Sequence, residues 1–360
     1  MILTLDARLY GLKHAGIGRY LLNLIPGLVA AAPDTQFHLL LPPQAVSRFS
    51  QANVTPMATT IKHYGLQEQL LLPRLLATTR ADLYHFPHFS VPLSFHRPFV
   101  VTIHDLLWHE VKNRQATTLS PLVYRLKYFG YRAVVRHVVT QARAIITPSQ
   151  YVKQQILNFY PATPPAKIHV IYEGVDPHLL RPVSSQPSTI NQRIYLLYVG
   201  SLYPHKNLSL FIRALNGSIP LIIVSARSVF QDQLRAQVQA WGLAKQVQFT
   251  GYLSDQQLAS VISRAQALVQ PSLSEGFGLT GLEAMALGTP VLAARAGALP
   301  EVYGQAALWF DPKVPTDFNR QLNRLPQQRQ RLIRLGHHQA QKYSWVQTVV
   351  ATLKVYDQVA

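Results

Sequence analysis

Ser274-Glu275-Gly276-Phe277-Gly278-Leu279-Thr280-Gly281-Leu282-Glu283-Ala284-Met285-Ala286 decides how this chain is read. It follows a short Ala-Leu-Val run at residues 267–269, which suits a strand covered on both faces. Its glycines let the backbone turn sharply and approach a ligand closely. A helix is expected to open near Thr280 and Gly281. Its first N–H groups and positive dipole end would then face Phe277, Gly278 and Leu279. A diphosphate is the natural occupant of such a mouth. Glu275 lies in the loop and Glu283 in the expected first helical turn, both within reach of that ligand. Glu283 has a plainer reading beside this one. Thr280-Gly281-Leu282-Glu283 matches a capping box, in which the glutamate serves the helix's own backbone. Glu275, read plainly, is an exposed loop acid.

Outward from this segment, apolar runs alternate with helical patterns. Residues 2–5, 37–41, 99–103, 144–147, 195–199, 221–224, 247–249, 267–269 and 290–293 read as buried strands. Residues 18–31, 208–215 and 255–264 read as helices between them. Repeated strand, helix, strand predicts doubly wound parallel sheets. At 360 residues the chain is long for one core and comfortable for two. The polar, Pro- and Ser-punctuated stretch 182–192 is the natural boundary. The expected architecture is therefore α/β. Two Rossmann-like domains, 1–182 and 193–344, face each other across a cleft, and a helix at about 345–360 returns to the first domain.

Cysteine is absent, which excludes disulfides, thiol catalysis and thiolate metal sites, and fits a reducing compartment. The N-terminus lacks the basic region and apolar run of a signal peptide. No apolar run approaches the ~18–20 residues that span a bilayer. The formal charge is +18. It is shared evenly between the halves, yet no acidic residue lies between Glu110 and Glu173, where Lys112, Arg114, Arg125, Lys127, Arg132, Arg136, Arg143, Lys153 and Lys167 fall. Such a field attracts polyanions. On a helix across 119–143, Arg125, Arg132, Arg136 and Arg143 fall within about 20° of one line, edged by Tyr128 and Phe129. That stripe suits an anionic membrane surface or a lipid-linked phosphate. It equally suits a plain solvated face.

Three further segments can carry chemistry. Gly200-Ser201-Leu202-Tyr203-Pro204-His205-Lys206-Asn207 runs from a strand into a helix, and a lysine there suits a phosphate. Gly16-Ile17-Gly18-Arg19-Tyr20 is a partial dinucleotide fingerprint without its third glycine or its ribose-binding acid. It reads as a close-approach loop or an ordinary turn, not as an NAD site. His104-Asp105 follows a strand directly, where open α/β sheets place ligands. His85 and His88 precede it, but none of the three lies on a metal-ligand spacing. The sequence holds no Gly-x-Ser-x-Gly elbow and no Gly-x4-Gly-Lys-Ser/Thr loop.

In this order, these segments resemble the retaining glycosyltransferases of family 4, which have the GT-B fold. The resemblance also takes in Ile146-Thr147-Pro148-Ser149, Glu173-Gly174-Val175-Asp176, Gly251-Tyr252-Leu253-Ser254, Gly288-Thr289-Pro290 and Pro300-Glu301-Val302. Glu275 and Glu283 match the family's Glu-x7-Glu motif. The resemblance implies that Glu275 bonds donor-sugar hydroxyls near the reacting carbon. Phe277, Gly278 and Leu279 would offer N–H groups to sugar and phosphate, and Glu283 would hold the ribose. Lys206 would neutralise the departing diphosphate. Gly200, Ser201 and Tyr252 fall on the donor side. Gly16 and Gly18 would let the first domain close on the phosphates, and His104 would face the sugar from the acceptor side. Many members carry an arginine at the position of Ser201 or His205. Here neither is basic, so the clamp rests on Lys206 with help from backbone dipoles or another arginine.

The implied activity is retaining transfer of a hexose from a nucleoside diphosphate sugar, GDP- or UDP-linked with mannose favoured, to a glycan or lipid-linked acceptor. No cofactor is expected. No metal is expected if protein cations stabilise the leaving group, and the absence of an Asp-x-Asp motif agrees. The expected location is the cytoplasm, with the basic stripe against the inner membrane face. Other readings are a sugar-nucleotide epimerase or phosphorylase on the same fold, a catalytically silent membrane-associated subunit, and a polyanion-binding protein motivated by charge alone. Nucleic acid is not the favoured partner.

Overall fold

Short runs rich in Ile, Leu and Val form parallel strands throughout the computed structural model. It describes residues 1–11, 15–110, 120–177, 179, 194–215, 219–226 and 228–360. The chain divides into two units, 1–174 with 345–360, and 175–344. The change of unit falls at Gly174 and Val175. The linker expected at 182–192, together with Lys112 and Arg114, lies outside the described residues.

The first unit contains β1 (Ile2–Asp6), α1 (Ala15–Ala31), β2 (Gln36–Leu41), β3 (Val54–Ala58), α2 (Leu66–Thr79), β4 (Leu83–Phe86) and β5 (Phe99–Thr102). It continues with α3 (Leu107–Glu110), α4 (Pro121–Gln141), β6 (Ala144–Thr147), α5 (Gln150–Phe159) and β7 (Ile168–Val170). The strands form one parallel sheet in the order β3-β2-β1-β4-β5-β6-β7. Strand β3 contains Pro56, which cannot donate to a ladder, and sits at the sheet edge, where that costs least.

The second unit contains β8 (Leu196–Val199), α6 (Leu208–Ala214), β9 (Leu221–Val224), α7 (Val229–Ala240), β10 (Val247–Phe249), α8 (Asp255–Arg264) and β11 (Ala267–Gln270). It continues with α9 (Leu279–Ala286), β12 (Val291–Ala294), α10 (Leu299–Tyr303), β13 (Ala307–Phe310) and α11 (Pro315–Ala340). Its parallel sheet has the order β10-β9-β8-β11-β12-β13. Helix α12 (Trp345–Val359) closes the chain.

Alternation along each strand feeds two cores. In β4, Leu83 joins α1 and α12 on one face, whereas Tyr84 and Phe86 join α2, α4 and α5 on the other. His85, between them, is completely buried. Its Nδ1 lies 2.6 Å from the Tyr356 hydroxyl of α12, and its Nε2 lies 2.9 Å from Thr102 Oγ1. Helix α12 also buries Trp345, Val349 and Val355 against α1. Burying a side chain of this size contributes about 1.5–3 kcal/mol. Among the described residues no helix is long and apolar enough to cross a membrane.

Candidate active site

Both sheets change winding direction between two neighbouring central strands, β1 and β4 in the first and β8 and β11 in the second. At such a switch the connections part, and a crevice opens beyond the strands' carboxyl ends. In the second unit the loops leaving β8 and β11 meet there. The Leu273 N–H donates to the His205 carbonyl at 2.8 Å. Gly200 leaves β8 with φ +148°, and the Tyr198 hydroxyl donates to the Ser201 carbonyl at 2.5 Å. A 3-10 turn, Pro204–Lys206, then carries the lysine to the start of α6, with Asn207 left-handed at φ 60°.

The Lys206 ammonium donates to Glu275 Oε1 at 2.8 Å and to Oε2 at 2.9 Å. Ser272 Oγ donates to Glu275 Oε1 at 2.6 Å. Burial works against the Glu275 charge, but the ammonium, the Ser272 hydroxyl and His205 outweigh it and hold the carboxyl below its usual range. Glu275 is therefore a half-buried carboxylate rather than an exposed loop acid. His205 is buried, and its pKa is pushed down to about 4 by burial and then by Lys206. It is neutral at neutral pH, so of the adjacent His205-Lys206 pair only the lysine carries charge.

Helix α9 begins one residue before the expected start, at Leu279, with Gly278 as its N-cap at φ +104°. Thr280 is thus inside the helix, no side chain caps it, and the capping box does not form. Glu283 falls in the second turn, not the first, and is buried. The glycine is required at 278. A side chain is strained at that φ, and a Cβ would meet Leu299 and the Tyr303 hydroxyl at 2.5 Å. The Leu279 and Thr280 N–H groups have no acceptor within the helix, as at any helix start. Phe277 is buried, edge-on to Tyr343 with ring centroids 5.6 Å apart. Tyr252, in the loop after β10, is 64% exposed.

Several supporting residues were missed by sequence reading. The Tyr303 hydroxyl contacts both the Gly278 carbonyl and the Gln270 side-chain amide, pinning the α9 mouth to β11. Gly297 backs the Glu275 peptide so closely that a Cβ there would meet Glu275 N at 2.5 Å. Ser272, Gln270 and Tyr303 carry no local signal, because they converge from separate loops and elements.

In the first unit, Gly16 and Gly18 lie in the first turn of α1, not in a loop before it. Gly16 is exposed, with nothing within 4 Å of a Cβ position. Gly18 does make a close approach, but to its own chain. A Cβ there would fall 2.0 Å from the Gly11 carbonyl oxygen. His104 places Nδ1 3.1 Å from Glu173 Oε1 and Nε2 3.1 Å from the Pro87 carbonyl, so both ring nitrogens face acceptors. His85 is held by Tyr356 and Thr102, and His88 by the Tyr64 hydroxyl and the Ser90 N–H.

At the switch between β1 and β4, Arg8 is buried between Asp6 and Glu68, with Nη2 2.7 Å from each carboxylate. Ser90 Oγ donates to Glu68 at 2.5 Å. Sequence reading missed this triad too. Of the four stripe arginines, Arg125, Arg132 and Arg136 lie exposed on α4. Arg143 is exposed too, but lies beyond α4, which ends at Gln141. Its Nη1 donates to the Val359 carbonyl of α12 at 2.5 Å.

The family model for glycosyltransferase family 4 matches residues 14–179, and that for glycosyl transferases group 1 matches 181–341. The chain is 26% identical to O-antigen chain mannosyltransferase B of Escherichia coli over 95% of both chains. It is 29% identical to MMP α-(1→4)-mannosyltransferase of Mycolicibacterium hassiacum over 72% of this chain, a match that spans 65% of that enzyme. The solved structure of Anabaena HepE in complex with UDP-glucose superposes with a TM-score of 0.74 at 20% identity, covering 99% of each chain. The seven- and six-stranded parallel sheets, the paired loops beyond β8 and β11 and these matches lead to one assignment: the chain belongs to the family 4 glycosyltransferases, with the GT-B fold of two Rossmann-like domains.

Proposed function

We infer that the protein transfers a hexose, mannose favoured, from a nucleoside diphosphate sugar to a glycan or lipid-linked acceptor, with retention at the anomeric carbon. One observation carries the reading. The Lys206–Glu275 pair stands beside the N-terminal mouth of α9, at the carboxyl ends of β8 and β11. An ammonium and free helix N–H groups suit a diphosphate, and a carboxylate fixed by Lys206 and Ser272 suits sugar hydroxyls. The mannosyltransferase relatives support mannose. GDP and UDP remain the two candidate carriers, the second supported by the UDP-glucose complex of the HepE fold relative.

In this mechanism the bond from the anomeric carbon to the phosphate oxygen breaks, and its electron pair leaves with the nucleoside diphosphate. Lys206 and the α9 mouth stabilise that charge as it develops, which makes a metal unnecessary. Glu275 orients the sugar through its hydroxyls. Glu283, Phe277, Gly278, Leu279, Gly200, Ser201 and Tyr252 hold the donor. In the first unit, Gly16, Gly18 and His104 are proposed on the family resemblance alone. The acceptor oxygen bonds to the anomeric carbon on the face the phosphate leaves, and its proton passes to the departing phosphate oxygen. We propose no cofactor, and the cytoplasm as the location of the chemistry.

The test is a thermal-shift screen of the full chain against GDP-, UDP-, ADP- and dTDP-sugars, since a ligand that binds the folded state raises its melting point. GDP-mannose or a UDP-hexose is expected to raise the midpoint in wild type and not in Lys206→Ala. No shift with any of the four would end the donor reading. NMR of the product's anomeric configuration decides retention.

A further inference from the structure

We propose that the outer face of α4 is a docking surface for an anionic lipid bilayer. Leu122, Leu126 and Phe129 recur at i, i+4 and i+7, which places them on one face of the helix. They are 78%, 72% and 67% exposed, far more than an isolated surface leucine requires. Arg125, Arg132 and Arg136 lie along one flank of this stripe and Lys127 lies toward the other, all exposed. No acidic residue occurs anywhere on the helix.

The C-terminal half of the helix is anchored. Val135, Val138 and Val139 of α4 are buried in the core of the first unit. Helix α2 covers the same sheet face through Leu72 and Leu76, and it leaves Leu66 and Leu70 80% and 64% exposed. An apolar stripe edged by cations of one sign matches the layering of a bilayer interface, with acyl chains below and anionic headgroups beside the guanidiniums. The arginine stripe and Phe129 at its edge are visible in the sequence; the bare leucines beside them are not, because sequence does not show which apolar helix residues stay uncovered.

The proposal is tested by co-sedimentation of the full chain with vesicles of phosphatidylcholine alone and of phosphatidylcholine mixed with phosphatidylglycerol. Wild type is expected to bind the mixed vesicles and to release as salt is raised. The Leu126→Glu/Phe129→Glu double variant should bind at least about tenfold more weakly. Replacing Arg125, Arg132 and Arg136 by Gln should cost about fivefold per residue. Every substituted position is exposed, so unchanged melting points will show that the variants fold. The donor-induced thermal shift should persist in the Glu double variant, which separates this proposal from the donor reading. Equal binding to both vesicle types, or undiminished binding by the Glu double variant, would overturn it. So would self-association abolished by that variant in a protein that ignores vesicles, since the stripe would then be an interface between copies.

Discussion

The Lys206 ammonium bonds both oxygens of the Glu275 carboxylate, although the two residues come from different loops and stand 69 positions apart. This pairing fixes the cation beside the α9 mouth, where we propose that the diphosphate binds. It also keeps the carboxylate charged in a half-buried place.

Lys206→Ala is expected to reduce kcat by about 10²–10³-fold, the usual loss when one stabilising donor is removed from developing charge. It also leaves Glu275 without its cation. Urea unfolding should show Lys206→Met/Glu275→Gln destabilised less than Lys206→Met alone, because the double variant leaves no uncompensated charge. Equal midpoints would mean that the pair is energetically silent.

Gly281→Ala is expected to damage donor binding and stability together. Its Cβ would fall 2.2 Å from the Tyr303 hydroxyl and 2.7 Å from Gln270 Oε1, inside the bracket that pins the α9 mouth. Overpacking of this kind costs about 1–3 kcal/mol. The checks are the melting point and the KM for donor. An unchanged KM would show that the mouth tolerates displacement.

Acid should weaken the fold well before the carboxylates titrate. His85 takes up a proton at about pH 6.5 when unfolded, but burial, and then His104, lower its folded value to about 3. Between these values the unfolded chain binds the extra proton, so stability falls as pH falls, by up to ~1.4 kcal/mol per pH unit from this residue. His109 and His205, each lowered to about 4, act with the same sign. Melting points at pH 7.5, 6.5 and 5.5 should decline below 6.5 in wild type, more gently in His85→Gln. Identical wild-type midpoints at 6.5 and 5.5 would contradict this.

Arg8→Met is expected to cost roughly 3–5 kcal/mol, because it strands Asp6 and Glu68 as buried carboxylates. The triple variant Asp6→Asn/Arg8→Met/Glu68→Gln should recover much of that loss in urea unfolding. No recovery would show that packing of the Arg8 stem, rather than charge, dominates.

Strand periodicity was legible in most of the apolar runs, as at Leu221–Val224 and Ala144–Thr147, whose bounds match. Four strands escaped it. β3 contains a proline, β4 places Tyr84 and His85 at the centre of a sheet, β7 has three residues, and β13 ends the second sheet. Central β4 is the instructive case. A tyrosine and a histidine read as surface until tertiary partners satisfy them, and those partners are Tyr356 and Thr102 for His85.

The sequence by itself determined the α/β class, the family, and the pairing of a lysine loop with a Glu-Gly-Phe-Gly-Leu segment. These rest on local patterns: apolar period, glycine placement and residue order. Only the tertiary structure decided that Glu275 is clamped by Lys206 and Ser272, that Glu283 serves no capping box, and that Tyr303 braces the α9 mouth. It alone decided that Arg143 leaves the basic stripe while Leu126 and Phe129 stay bare. The physical reason is common to all of these. Hydrogen bonds, ion pairs and burial join groups by distance in space, and residues far apart along the chain become neighbours only once the sheets have formed.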